Sequence, residues 1–319
     1  MSINPISFTQ KLIEIDVALD PNPQTNAAPF FTSDVSGSPN ANKVTLAGTR
    51  TSVRVQYAGQ PKGSTAQVSV YGLTPSLMDQ LSTLGLVFSI VPHNTITIRA
   101  GDLPSGLSTV FVGTIWSATA DFNRAPDVPF TFECIAGLYN QVVPATSVTF
   151  PKPFNVVNAM QQFAQQMGFG FENDGVPTTA MLPPSYYPGT VGDQWKKMRD
   201  DAQIEADLFP GIATGQVLAI WPKGGSRTTL GTPLVSPTTG MIGYPSYSQV
   251  GLTVKTIYNP GISLGGQIKI QSSLPKATGT WVVLKVDHAL DSLMPDGLWE
   301  STLLCFNQNY ASKTGVPKV

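Results

Sequence analysis

Charge is what this sequence has least of. Lys, Arg, Asp and Glu make up 12% of its 319 residues, and 19 basic residues nearly cancel 20 acidic ones. There is no basic run to neutralise phosphates, which excludes the electrostatic basis of nucleic-acid binding. Nor is there a basic amphipathic helix for an anionic membrane surface. Cysteine is nearly absent: Cys134 and Cys305 are too few for a disulfide framework or a cysteine-rich zinc site. His93 and His288 are the only histidines, which argues against a histidine metal cluster. We therefore expect no metal and no cofactor. No stretch of about 20 residues is continuously apolar. "LGLVFSIV" is too short and runs into Pro92 and His93. The start, "MSINPISFTQKLIEIDVALD", has no positive segment followed by an apolar core. The expectation is a soluble chain made in the cytoplasm, with no membrane insertion.

What is abundant is turn-forming and apolar. The chain has 29 Gly and 27 Pro, yet 41% of it is hydrophobic. That is not the profile of a disordered chain. It suits short strands joined by many turns.

Alternation runs through the first 150 residues. Residues 3–20 read as a strand with Ile13, Ile15, Val17 and Leu19 on one face. Residues 21–43 are turn-rich and read as an extended loop. "TSVRVQYAG" places Val53, Val55 and Tyr57 inward and Arg54 and Gln56 outward; "TAQVSVYGL" repeats the pattern. "TPSLMDQLSTLG" (74–85) is a predicted short helix, capped by Thr74, with Pro75 in its first turn and Gly85 at its end. "NTITIRAGD", "STVFVGTIWSATAD" and "VPFTFECIAG" return to strands.

At Pro151 and Pro153 the period changes. Val156, Met160, Phe163, Ala164 and Met167 recur at helical spacing, and Trp195, Met198 and Ala202 do so again. The predicted fold is mainly β, α+β overall, in three parts. Residues 1–150 form a first antiparallel β-barrel domain. Residues 151–235 form a small α+β domain. Residues 236–319 form a second β-barrel domain with a C-terminal tail.

The two β parts look like copies. Ile115 precedes Cys134 by the same interval as Val286 precedes Cys305, and each interval contains a Pro-Asp link. Each is preceded by an Ile-x-Ile strand, Ile96/Ile98 and Ile268/Ile270. Such ordered self-similarity signals a repeated unit. The cysteines then occupy equivalent core positions.

"WVVLKVDHALDSLMPDGLWESTLLCF" (281–306) sets Asp287, His288 and Asp291 close together. Alternation puts His288 with Val282, Leu284, Val286 and Leu290, and Asp287 on the opposite face. Neighbours on a strand do not meet at hydrogen-bond distance, so they make a poor catalytic pair. Asp291 belongs to the turn "DSLMPDG".

Several stretches resemble the baseplate hubs of bacteriophage tails, meaning the trimeric hubs of contractile tails and the late control protein D family. "TSVRVQYAGQPKGSTAQVSVYGLTPSLMDQLSTLG" is similar to the hub's strand–strand–helix opening, and "ITIRAGD…TVFVGTIWSA" to the next strand pair. "PFNVVNAMQQFAQQMGFGFE" and "TVGDQWKKMRDDAQIEADLFP" resemble the two inserted helices. "IYNPGISLGGQIKIQSS…GTWVVLKVDHALDS" resembles the closing block. The resemblance implies tube-protein-like barrels and a structural, non-enzymatic protein of the virion tail baseplate. It implies a homotrimer that presents six similar units and adapts a six-fold tail tube to a three-fold central spike. The implied partners are tail tube or distal tail subunits, the spike and other baseplate subunits. DNA would only pass through the lumen.

Two other functions have residues to offer. A peptidoglycan hydrolase would use Glu133, Asp287, His288 and Glu300. Glu133 and Glu300, however, alternate with apolar neighbours as outward strand residues do. A receptor- or carbohydrate-binding tail-tip protein would use Tyr186, Tyr187, Tyr244 and Tyr247, which equally suit a protein interface. "GQPKGS" and "PKGGSR" lack phosphate-loop spacing and read as hairpin turns. No catalytic residue is assigned.

Overall fold

A computed structural model describes residues 9–19, 42–83, 93–211 and 215–307. Nearly all of the loop predicted at 21–43, the stretch "LGLVFSIV", the last residues of the predicted first helix and most of the C-terminal tail lie outside the described residues.

The first block holds β1 (Lys11–Ala18), β2 (Lys43–Ala47), β3 (Thr51–Tyr57) and β4 (Ser64–Tyr71), then α1 (Pro75–Leu81), β5 (Thr95–Asp102), β6 (Gly106–Ala120) and β7 (Pro129–Ile135). A single 3-10 turn, Phe122–Arg124, joins β6 to β7. Side-chain alternation makes these strands. β3 buries Val53, Val55 and Tyr57 and turns Ser52, Arg54 and Gln56 the other way. Thr74 caps α1 by accepting the Leu77 N–H, as the sequence predicts. The helix closes sooner than predicted, because the Ser82 N–H bonds back to Met78 and Asp79.

The middle block contains α2 (Leu138–Val142), β8 (Val148–Phe150), β9 (Phe154–Asn155), α3 (Val156–Gln166), β10 (Gly170–Asn173), β11 (Met181–Leu182) and β12 (Ser185–Tyr187). It continues with α4 (Val191–Asp201), β13 (Ile204–Pro210) and β14 (Gln216–Pro222). Asn155 caps α3, and Thr190 with Asp193 forms a reciprocal capping box on α4. Met160 and Phe163 of α3 and Trp195 and Met198 of α4 are buried, as their spacing predicts. Strands β10, β14 and β13 form a three-stranded sheet.

The last block holds β15 (Leu234–Val235), β16 (Met241–Tyr247), β17 (Leu252–Ile257), β18 (Gln267–Ile270), β19 (Gly279–Ser292) and β20 (Trp299–Phe306). Its strands and those of the first block make one 13-stranded sheet, ordered β16-β17-β20-β19-β3-β4-β7-β6-β5-β1-β2, with β18 on β19 and β15 on β18. β3 and β19 pair where the two β units meet.

The repeat is visible in the strand order. One unit reads β3-β4-β7-β6-β5 and the other β16-β17-β20-β19-β18. Cys134 lies opposite Ala66 and Ile115, and Cys305 opposite Leu252 and Val283. In both long strands the register slips just after that pair, at Trp116 and at Leu284. One residue earlier Thr114 faces Thr95, and Val282 faces Gln267. Ile96/Ile98 and Ile268/Ile270 are thus equivalent, as the sequence suggests. Val286 is not the counterpart of Ile115; Val283 is. The Pro-Asp links lie in turns of different length, so equal spacing to the cysteines was a coincidence of three residues in the turn. The bulge at Leu284 also breaks the alternation predicted for this strand: Val282 and Val283 are both buried.

The middle block is clamped to both units. Gln60 donates to Asp207, Gln216 donates to the Val112 carbonyl, and Tyr57 stacks on Phe209. On the other side the Arg227 N–H bonds to Gly265 O, and Gln267 donates to Ser226. Gly265 has φ +75, a left-handed conformation that strains other residues, and a Cβ there would crowd the Trp221 ring at 3.1 Å, so glycine is favoured at this crossing.

Candidate functional site at the strand joint

The joint between the two units is an antiparallel ladder running from Tyr57 opposite Val286 to Thr51 opposite Ser292. Its two faces differ in chemistry, because each strand alternates. On the polar face Arg54 donates two hydrogen bonds to the Asp291 carboxylate, at 2.7 and 3.1 Å. The same carboxylate accepts the Leu298 N–H, closing the turn before β20. Burial acts to raise the Asp291 pKa, but these donors outweigh it and hold the carboxyl below its ordinary range. Beside them Gln56 and Lys285 both donate to Asp287, at 2.8 and 2.7 Å.

On the core face His288 is buried between the rings of Tyr57 and Tyr258, which meet it edge-on at 6.1 and 5.2 Å. Its Nδ1 shares a 2.8 Å hydrogen bond with Ser301 Oγ. Burial pushes its pKa down to about 4, against a smaller upward pull from Asp287. His288 is therefore a neutral core residue. Asp287 faces the other side of the sheet, and the adjacent pair shares no proton path.

Of the carboxylates raised by the hydrolase reading, Glu300 and Asp287 are diagonal neighbours on one face of β20 and β19, each already held by a lysine, and Glu133 stands apart from both. Glu133 on β7 and Glu300 on β20 are four strand spacings apart, roughly 19 Å along the sheet. Glu133 and Asp287 are three apart, about 14 Å. Carboxylate pairs that cleave glycosides stand roughly 5–9.5 Å apart. Glu300 is held by Lys255 at 2.8 Å. Glu133 and Asp287 instead line a shallow groove of about 520 Å³ with Arg54, Gln56 and Gln67. Among the described residues no three of His, Cys, Asp and Glu could hold a metal ion, and no helix is long and apolar enough to cross a membrane.

The tyrosines divide. Tyr187 is fully buried against Phe150, Phe154 and Phe163, so it belongs to the core of the middle block. Tyr186 is exposed. Tyr244 and Tyr247 are exposed on β16, the strand that ends the sheet on its second-unit side. Cys134 and Cys305 are free and buried. Burial pushes both thiols up, Cys305 to about 12.

Three charged residues went unnoticed as structural elements in the sequence. Arg54 read only as an outward strand residue. Arg227 read as part of a turn, yet it is buried: it donates to Asp174 at 2.7 Å and to Glu172 at 2.8 Å, and stacks on Phe209. Asp207 is buried with one carboxylate oxygen unpartnered, and burial raises its pKa to about 6. Its alternating neighbours Ala206 and Leu208 gave no sign of that.

Comparison with known proteins points one way. The structure is similar to a tail protein from Neisseria meningitidis MC58, with TM-score 0.58 and 9% identity, covering 92% of this chain and 96% of that one. It is similar to the 43 kDa tail protein of prophage MuSo2 from Shewanella oneidensis, with TM-score 0.57 and 6% identity, covering 93% and 98%. A chain of the Francisella PdpA-VgrG complex aligns with TM-score 0.50 and 9% identity over 99% of this chain, which spans 61% of that longer one. At such identities the likeness is one of fold. No curated protein matches the sequence at a significant level. The family model described as Baseplate hub gp41 matches residues 34–295. With most of its length matched, and a fold shared with phage tail proteins, the chain belongs to the Baseplate hub gp41 family.

Proposed function

We propose that this chain is the subunit of a homotrimeric hub whose six β units form a ring between a six-fold tail tube and a three-fold central spike. The family gives it a structural role in the virion tail baseplate. One observation carries the finer reading. The two units share a strand order and are joined edge to edge by β3 and β19 within one sheet. A subunit that offers two equivalent units turns three-fold symmetry into an approximate six-fold surface, which is what a hexameric neighbour needs.

In this reading residues 1–150 and 236–319 contribute the ring and residues 151–235 the module between them. The units face tail tube or distal tail subunits. The middle module and the loops of the last block face the spike and other baseplate subunits. The groove on the polar face mixes Arg54 with Glu133 and Asp287 and has no basic stripe. DNA would pass such a surface without being held by it. The protein does no chemistry of its own.

Light scattering tests this on the purified full chain, alone and with its tube and spike neighbours. A mass near three times 34.0 kDa, alone or on addition of a neighbour, is the expected result. A monomer at every concentration that binds neither neighbour contradicts it.

A further inference from the structure

Where the three blocks meet, the fold leaves a cavity of about 240 Å³. The first unit contributes the turn 58–60. The middle block contributes residues 205–207 of β13 and Trp221 of β14, and the second unit Leu264 and Phe306. Among the described residues that line it, two are carboxylates and none is basic. Alternation puts both acids, Glu205 and Asp207, on one face of β13, roughly 7 Å apart along the strand. Trp221 stands opposite Glu205 on β14 and shares that face.

Two buried acceptors here lack a donor. Asp207 is 1% exposed. Its Oδ1 accepts from Gln60 Nε2 and from the Leu208 N–H, while its Oδ2 accepts from nothing. Gln60 Oε1 is buried without a partner as well. The carboxylate dictates that orientation, because a flipped amide would set its own oxygen against Asp207. Unpaired buried acceptors cost free energy, so a ligand that donates hydrogen bonds gains more here than one that only accepts them.

Nearby cations are committed elsewhere. Lys196 is held by Gln141, Arg199 by Asp200, and Arg227 by Asp174 and Glu172. Lys196 and Arg199 on α4 favour the charged form of Asp207 only through space, and burial outweighs them. From β3, Tyr57 faces the same carboxylate and is itself pushed up by burial. The cavity's size and walls then select the donor. It is far larger than one water or a bare metal ion needs. Leu264 and Phe306 offer an apolar wall, and Trp221 offers a ring face that attracts an organic cation.

We propose that this cavity binds a short aliphatic diamine in its diammonium form. One ammonium donates to Asp207 Oδ2 and Gln60 Oε1. The other lies by Glu205 and the Trp221 ring, and the stem runs along Leu264 and Phe306. A small turn of the Gln60 side chain, held by its hydrogen bond to Asp207, opens the inner carboxylate to the cavity. The ligand touches all three blocks, so it fastens the middle block to both β units. The site lies within one chain and does not depend on the trimer.

Calorimetry on the full chain at pH 8 with 1,4-diaminobutane tests this. One saturable site per chain is expected. Butane-1,4-diol, which keeps the stem and loses both charges, is expected not to bind. Asp207→Asn should weaken binding by about tenfold or more. Glu205→Gln should weaken it by a smaller factor, because Glu205 is only partly buried. At pH 5 the wild type should also lose about tenfold, since burial raises Asp207 to about 6, whereas ordinary surface carboxylates remain mostly ionised there. The diamine should raise the melting temperature of the wild type and leave that of Asp207→Asn unchanged. Absence of both saturable heat and a melting shift at pH 8 overturns the proposal. So does equal binding of the diol, or binding that Asp207→Asn and acid leave unchanged.

Discussion

Arg54 and Asp291, separated by 237 residues, meet in a two-pronged ion pair across the joint between the two β units. The Asp291 side chain is largely shielded while Arg54 remains half in solvent. Such a pair does more for register than for stability. A one-residue slip of β3 along β19 would separate the charges and turn Val53 and Val55 to the wrong face.

Removing either partner should therefore be unequal. Arg54→Ala is expected to cost about 1 kcal/mol, as for a well-aligned surface pair. Asp291→Ala is expected to cost about 2 kcal/mol, since the Leu298 N–H also loses its acceptor. Urea denaturation of both single variants and the double variant measures their coupling. Additivity of the two losses would show that the pair contributes nothing.

His288 makes the fold sensitive to acid. Its folded pKa, about 4, lies below the unfolded value of about 6.5. The unfolded chain therefore binds the proton first, and stability falls as pH drops from 6.5 towards 4. The loss is on the order of 3 kcal/mol. His288→Gln should flatten that part of the stability profile. An unchanged slope would place the acid sensitivity elsewhere.

Asp207 works in the opposite direction. Its folded pKa, about 6, lies above the ordinary carboxylate value, so the folded state holds the proton more tightly. Stability then falls as pH rises from about 4 to 6, and the cost of ionising the buried acid persists at neutral pH. Asp207→Asn removes that cost and is expected to stabilise by on the order of 2–3 kcal/mol at pH 7, with little effect at pH 4. Melting temperatures at the two pH values decide it.

Arg227 is a buried cation whose partners are fixed. Asp174 is fully buried and also accepts from Thr229. Arg227→Met leaves that carboxylate uncompensated and is expected to cost about 3–5 kcal/mol. Replacing Asp174 by Asn in the same chain should recover much of the loss. Chemical denaturation of the wild type and these two variants tests the pair.

The sequence by itself determined which residues of each strand face inward and where most elements begin. Val53, Val55 and Tyr57 alternate with polar residues because a pleated strand offers two faces, and only one of them meets a core. Thr74 announces the start of α1 because free backbone N–H groups need nearby acceptors. These are local effects, carried by residues a few positions apart. The repeat was legible too, through Ile96/Ile98, Ile268/Ile270 and the two cysteines, because equivalent core positions keep similar side chains.

Tertiary structure alone decided which strands meet. Any strand edge offers the same backbone donors and acceptors, so nothing near Thr51–Tyr57 names Gly279–Ser292 as its neighbour. A bulge at Leu284 costs one residue of register and buries Val282 and Val283 together, which alternation could not foresee. Arg227 and Asp207 look like surface residues in sequence, because burial of a charge depends on what packs over it.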